Sequence, residues 1–117
     1  MEQLNKIEIR GVVGFSRLSK FNDRRVLNFS VVTDYVYKGS SGEPVIETTW
    51  HYVNAWEGKY MPDLSTITKG TKVYVCGRLR SQKYADSQGI ERSSYEVIAS
   101  QLSVLQDQSQ MQCESSR

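Results

Sequence analysis

The sequence predicts an all-β protein, a five-stranded barrel with one short helix between strands three and four. Three observations carry that prediction. Apolar residues recur with a period of two rather than 3.6, the spacing of half-buried strands. Polar clusters rich in Gly, Ser, Asn and Asp divide the chain into strand-length segments. The one stretch that breaks the alternation surrounds Pro62 and falls between the third and fourth segments.

The first strand starts at Ile7, with Ile7, Ile9, Val13 and Phe15 on one face and Lys6, Glu8 and Arg10 on the other. Gly11 and Gly14 interrupt it, which suggests a bulge or bend of the kind a small barrel needs. Asn22-Asp23-Arg24-Arg25 reads as a turn. The second strand spans Val26 to about Tyr37, with Leu27, Phe29 and Val31 inward and Asn28 and Ser30 outward. Lys38 to Pro44 is long and polar enough to form a finger between strands. The third strand, Val45 to Trp56, is rich in β-branched and aromatic residues. A short helix is expected from near Pro62, since proline is tolerated in a first turn, with Lys69-Gly70 closing it. The fourth strand sets Val73, Val75, Gly77 and Leu79 against Lys72, Tyr74, Cys76, Arg78 and Arg80. A second polar finger, Ser81 to Arg92, leads into the last strand, from Ser93 to about Leu105. This order matches the OB arrangement, which commonly binds oligonucleotides or oligosaccharides.

A chain of 117 residues fits one domain. Residues 1–105 are read as that domain and 106–117, dominated by Gln, Ser and isolated charges, as a disordered polar tail. The formal net charge is only +2, so any phosphate binding must come from the placement of Lys and Arg and not from bulk basicity. No basic region followed by an apolar run opens the chain, and no stretch approaches the roughly 20 apolar residues of a membrane-spanning helix. Cys76 and Cys113 have neither metal-ligand nor redox spacing, one in a strand and one in the polar tail, so a disulfide framework is not expected. These features point to a cytoplasmic protein with no membrane association.

The most informative segment is Thr49-Trp50-His51-Tyr52-Val53-Asn54-Ala55-Trp56. Strand alternation puts Trp50, Tyr52, Asn54 and Trp56 on one face and His51, Val53 and Ala55 on the other. The smaller face suits a barrel interior. Two indoles, a phenol and an amide on the outer face could be ordinary strand formers, could pack on the helix or another subunit, or could stack nucleic-acid bases. The fingers favour stacking. Tyr37 precedes Lys38 at the base of the first finger; Lys83 precedes Tyr84 in the second, with Arg78 and Arg80 upstream. Rings that take bases, interleaved with cations that replace counterions along a backbone, are what single-strand binding requires. Arg24 and Arg25 fit a solvated turn as well as a binding role.

Catalysis has little support. His51 is the only histidine, and its parity turns it inward or toward a subunit contact. No Cys/His cluster could hold zinc and no glycine-rich phosphate loop occurs. We therefore expect no enzyme activity, no catalytic residue, no metal and no cofactor.

From about Asn5 to Leu105 the sequence resembles the bacterial single-stranded DNA-binding protein (SSB) family. The similarity rests on Asn5-Lys6, Gly11 and Gly14, Glu47-Thr48-Thr49-Trp50-His51, and Trp56. It continues through Lys69-Gly70-Thr71-Lys72-Val73-Tyr74-Val75-Cys76-Gly77-Arg78-Leu79-Arg80, Lys83-Tyr84, Gly89, Glu91-Arg92 and Tyr95-Glu96-Val97. The resemblance implies sequence-tolerant binding and protection of single-stranded DNA in replication, recombination and repair. It sets the stacking aromatics on Tyr37, Trp50, Trp56 and Tyr84; beside them, the placement of the basic residues makes Lys38, Lys72, Arg78, Arg80 and Lys83 candidate phosphate contacts. It also implies a homo-oligomer, a tetramer, with His51 at a subunit contact. Replication and repair proteins are partners of such families through an acidic C-terminal tip, whereas this chain ends Cys113-Glu114-Ser115-Ser116-Arg117 without one. The alternatives are a dimeric primosome-type OB paralogue and an OB module whose aromatic face docks a protein.

Overall fold

A computed structural model describes residues 1–105; residues 106–117, and with them the expected disordered tail, lie outside the described residues. Five strands form a closed barrel: β1 (Ile7–Phe21), β2 (Arg24–Lys38), β3 (Pro44–Trp56), β4 (Lys72–Ala85) and β5 (Glu91–Val104), in the spatial order β1-β2-β3-β5-β4. All pairings are antiparallel except β3 with β5. The all-β barrel read from the sequence is the fold observed.

Alternation builds the core. Ile9 and Val13 from β1, Leu27, Phe29 and Val31 from β2, Val53 and Ala55 from β3, Val73 and Val75 from β4, and Val97 and Leu102 from β5 meet inside the barrel. Each large side chain buried there contributes about 1.5–3 kcal/mol relative to exposure. Leu64 and Ile67, from the segment between β3 and β4, join the same core.

Two bulges let the sheet close. On β1 one extra residue lies between Val13 and Ser16, where Gly11 and Gly14 signalled a bend. The bulge reverses the alternation beyond it, so Phe15, expected inward, is 45% exposed. On β5 the ladder skips Ser100, whose hydroxyl donates to the Cys76 carbonyl at 3.1 Å. That bulge keeps both Ala99 and Leu102 on the core side.

One further expectation is corrected. The first turn is only Asn22-Asp23, both at positive φ (50° and 66°), a two-residue connection whose twist suits a hairpin. Arg24 and Arg25 therefore belong to β2. The short helix expected between strands three and four is present as a single 3-10 turn, Leu64–Thr66, capped by the Asp63 carboxylate, which accepts from the Ser65 amide at 3.1 Å. The β-branched run Thr66-Ile67-Thr68 does not favour a longer helix. Cys76 is buried in β4; Cys113 lies outside the described residues.

The β2–β3 and β4–β5 hairpins run past the barrel as two arms. The first carries paired residues out to Lys38 and Pro44, the second out to Ala85 and Glu91. Asp86 pins the tip of the second arm, accepting from the amides of Gln88 (2.9 Å) and Ile90 (3.0 Å) and from Arg92 Nε (2.6 Å). At the base of this arm the side chain of Asn5 imitates a strand. Its amide donates to the Leu79 carbonyl at 2.8 Å, and its carbonyl accepts from the Leu79 amide at 3.0 Å. Among the described residues no helix is long and apolar enough to cross a membrane.

Candidate nucleic-acid interface

The outer surface of β1, β2 and β3 is an aromatic face. On β3 the alternation read from the sequence holds: Val53 and Ala55 are buried, while Trp50 and Tyr52 are 51% and 53% exposed. Asn54 and Trp56 are half-buried on the same outer side. From β1, the bulge turns Phe15 outward to meet Tyr52, ring centroids 6.3 Å apart and tilted 48°. At the end of the β1–β2 hairpin, Phe21 stands edge-on to Trp56 at 6.3 Å, and the Arg24 guanidinium lies over the Trp56 ring at 5.2 Å. Cation and ring attract there through the ring quadrupole.

Trp50 lies directly over the bulge. A Cβ added at Gly14 would sit 2.4 Å from Trp50 Cζ3 and 2.8 Å from Ser30 Oγ. Ser30 is fully buried beside it and accepts from the Phe15 amide at 3.1 Å. The missing side chain at Gly14 is the seat of the indole.

Register aligns the rest of the face. One row across the barrel reads Arg17, Asn28, Asn54, Ile98 and Arg78, with a cation at each end. A hydrogen-bonded chain crosses four strands beside it. Asn28 donates to Asn54, Asn54 Nδ2 donates to Glu96 Oε2 at 2.6 Å, and Arg80 Nε donates to Glu96 Oε1 at 3.0 Å. Glu96 thus engages both carboxylate oxygens, and Arg80 is held in an ion pair.

The nine residues singled out from the sequence divide between the surfaces. Trp50, Trp56, Arg78 and Arg80 are on the outer face of the barrel, and the same alternation carries Lys38 and Tyr84 along the outer sides of the two arms. Lys72 shares the row Lys72–Val12–Val32–Trp50, which puts it about 14 Å around the barrel from Trp50 at three strand spacings of about 4.8 Å. Tyr37 and Lys83 leave their arms on the reverse side. Tyr37 stacks there with Tyr35, centroids 6.1 Å apart and 29° between planes.

Sequence reasoning missed Phe15, Arg17, Phe21 and the stacking of Arg24 on Trp56. The signal for the first three was Gly14, because a bulge there inverts the inside and outside of everything after it.

Carboxylates at the margins are held ionised. Hydrogen bonds from the Arg25 amide, then from its guanidinium, lower the pKa of Glu57. The Ser65 hydroxyl and amide lower that of Asp63, and Arg92 with the Ile90 amide lowers that of Asp86. His51, inward and half-buried, shares a 2.8 Å hydrogen bond with Thr33 Oγ1, and burial lowers its pKa from 6.5. Among the described residues no group of three or more His, Cys, Asp or Glu could hold a metal ion.

The single-strand binding protein family model matches residues 4–105. A single-stranded DNA-binding protein of Neisseria meningitidis is 32% identical over 104 residues, covering 87% of this chain and 60% of that protein. The chain thus spans about three-fifths of that relative's length. Among solved structures, the Plasmodium falciparum SSB complex with ssDNA superposes with a TM-score of 0.80 at 25% identity, over 91% of this chain and 98% of the other. A deletion mutant of the single-stranded DNA binding protein from Thermus aquaticus shares the fold, with a TM-score of 0.71 at 18% identity over 90% of this chain and 52% of the other.

Proposed function

The chain belongs to the single-strand binding protein family, and from that premise we propose that it binds and protects single-stranded DNA, tolerant of sequence, in replication, recombination and repair. The observation that carries this reading is the continuous outer face on which Trp50, Tyr52, Phe15 and Trp56 stand exposed or half-exposed between Arg17 and Arg78. A folded chain has no reason of its own to leave so many rings in water, whereas unpaired bases present π-faces of any sequence to them.

In this reading Trp50 and Trp56 are the central platforms, and Tyr84 extends the path onto the second arm. Phosphates are met by Arg17, Lys38, Arg78 and Lys72. Arg80 acts first on Glu96 and only secondarily on DNA. Tyr37 and Lys83 contact a strand that passes around an arm to its reverse side. The chain acts as a cytoplasmic homotetramer and as a binding protein rather than an enzyme, with residues 1–105 as the DNA-binding domain.

The test is a titration with poly(dT), read by tryptophan fluorescence. Binding quenches Trp50 and Trp56, and log affinity falls with log salt at about 0.7 per phosphate contact. Replacing Trp56 by Ala weakens binding by about 1–3 kcal/mol. Absence of quenching, or an affinity indifferent to salt, refutes the reading. Sedimentation of the same samples separates a tetramer from a dimer.

A further inference from the structure

An open cleft of about 500 Å³ lies between the N-terminal segment and the base of the β4–β5 arm, away from the aromatic face. Leu4, Leu79 and Tyr95 supply its apolar walls; Lys6 and Ser81 supply polar groups. Its volume is within the range of small-molecule sites, about 300–1,000 Å³.

The position of Tyr95 calls for an explanation. It shares its alternation with Val97, which is 2% exposed in the core. By parity Tyr95 is an inward residue, yet its ring is 60% exposed because β4 and β5 have by then left the barrel. Tyr95 faces Ser81 across the ladder, and Lys83 is its diagonal neighbour, within reach of a long side chain. Lys6 approaches from the other wall, and no carboxylate lines the cleft. An aromatic ring, an apolar backing and two nearby ammonium groups have the chemistry of a base and its phosphate.

We propose that this cleft is a further subsite for single-stranded DNA, in which one base stacks on Tyr95 against Leu4 and Leu79 while Lys6 meets the adjoining phosphate. The inference rests on the single-strand reading and deepens it. Tyr84 and Tyr95 leave the same arm on opposite faces, so a strand running along the outer face reaches the cleft by turning around the arm. The arm is then a post about which the strand winds. Lys83, on the reverse side, guides the turn. Lys6 in the lining, with Lys83 diagonal to Tyr95 and no carboxylate in the cleft, favours a polyanion over an extended apolar peptide as the occupant.

The experiment uses the full chain and oligo(dT) long enough to pass around the arm. Tyr95→Ala is expected to weaken binding about 5- to 150-fold, the loss of one stacked base, while Tyr95→Phe, which keeps the ring, stays within about twofold of the parent on the same reasoning. Lys6→Ala lowers the salt slope by about 0.7. Saturating quenching of Trp50 and Trp56 is unchanged in all three variants. A second measurement needs no variant: irradiating the parent with bromouracil-substituted oligonucleotide yields a cross-link at Tyr95. If Tyr95→Ala binds like the parent and no cross-link forms there, while quenching by poly(dT) is normal, the cleft is not a DNA subsite and the main reading stands. If the parent itself shows no quenching, both fail together.

Discussion

Replacing Gly14 by Ala tests whether the outer face is a built platform or a chance exposure of rings. The added Cβ would lie 2.4 Å from Trp50 Cζ3 and 3.1 Å from Cη2. Carbon atoms rest about 3.5–4.0 Å apart, so the indole must retreat by more than about 1 Å. It can do so because half of it is in solvent, whereas Ser30 on the other side is fully buried and hydrogen-bonded. The fold should survive with a loss of about 1–2 kcal/mol, within the usual cost of overpacking. DNA affinity should fall by up to the worth of one stacked base, about 1–3 kcal/mol. The assay is a double-mutant cycle in poly(dT) affinity: Gly14→Ala, Trp50→Ala and both together. If Gly14 acts only by seating Trp50, adding Gly14→Ala to Trp50→Ala costs nothing further, and the coupling equals the whole effect of the single change. Undiminished affinity in a folded Gly14→Ala protein would refute the reasoning, and so would an equal loss in the Trp50→Ala background.

Two further predictions concern charge. Glu96→Gln removes the carboxylate that occupies Arg80 on the outer face; affinity for single-stranded DNA should rise and the salt slope steepen by about 0.7, as one more cation reaches phosphate, with stability changing by no more than about 1 kcal/mol. An unchanged slope in a folded variant would show that Arg80 stays out of reach of the strand. The pH dependence of the melting temperature has a definite sign. His51 binds a proton less readily folded than unfolded, so stability is full above pH 6.5 and declines as pH falls through that value toward the lowered pKa. Glu57, Asp63 and Asp86 add a second decline, beginning at their ordinary values of 4.5 and 3.8 and continuing below. A melting temperature that rises between pH 7 and pH 3 (roughly the span of these ordinary values) would contradict both assignments.

How far the sequence could be read depended on what each feature needed. The β3 face needed only alternation, and Trp50, Tyr52, Asn54 and Trp56 stand together outside as read. Phe15 needed the location of a bulge to the residue: two glycines announced that a bend was coming, but not on which side of it the parity would change. Arg24 was assigned to a turn because Asn22-Asp23-Arg24-Arg25 has turn composition throughout, whereas Asn22 and Asp23 alone accept the positive φ that closes the hairpin. Arg80 looked like a free cation since Glu96, its partner, comes from another strand 16 residues later. Tyr95 was hidden most completely, because an inward-parity residue is read as core unless the point where the arm leaves the barrel is known.

The barrel closes through a narrow seam. Between β3 and β5 the ladder consists of Val53 with Val97 and Asn54 with Ile98, and the Asn54–Glu96 hydrogen bond fastens it across 42 residues of sequence. Every other junction has a longer ladder, and three of the five join neighbours in the chain. Loop-closure entropy delays distant pairings during folding, so the three hairpin junctions assemble before the β1–β4 and β3–β5 junctions close. With only two paired positions, the β3–β5 seam is the junction that breathes most readily in the finished protein. The amino acids that lock it, Asn54 and Glu96, are those that also floor the outer face. A strand bridging β3 and the second arm would therefore latch shut the joint on which the barrel's own closure depends, and amide exchange at Val97 and Ile98 should slow when it is bound.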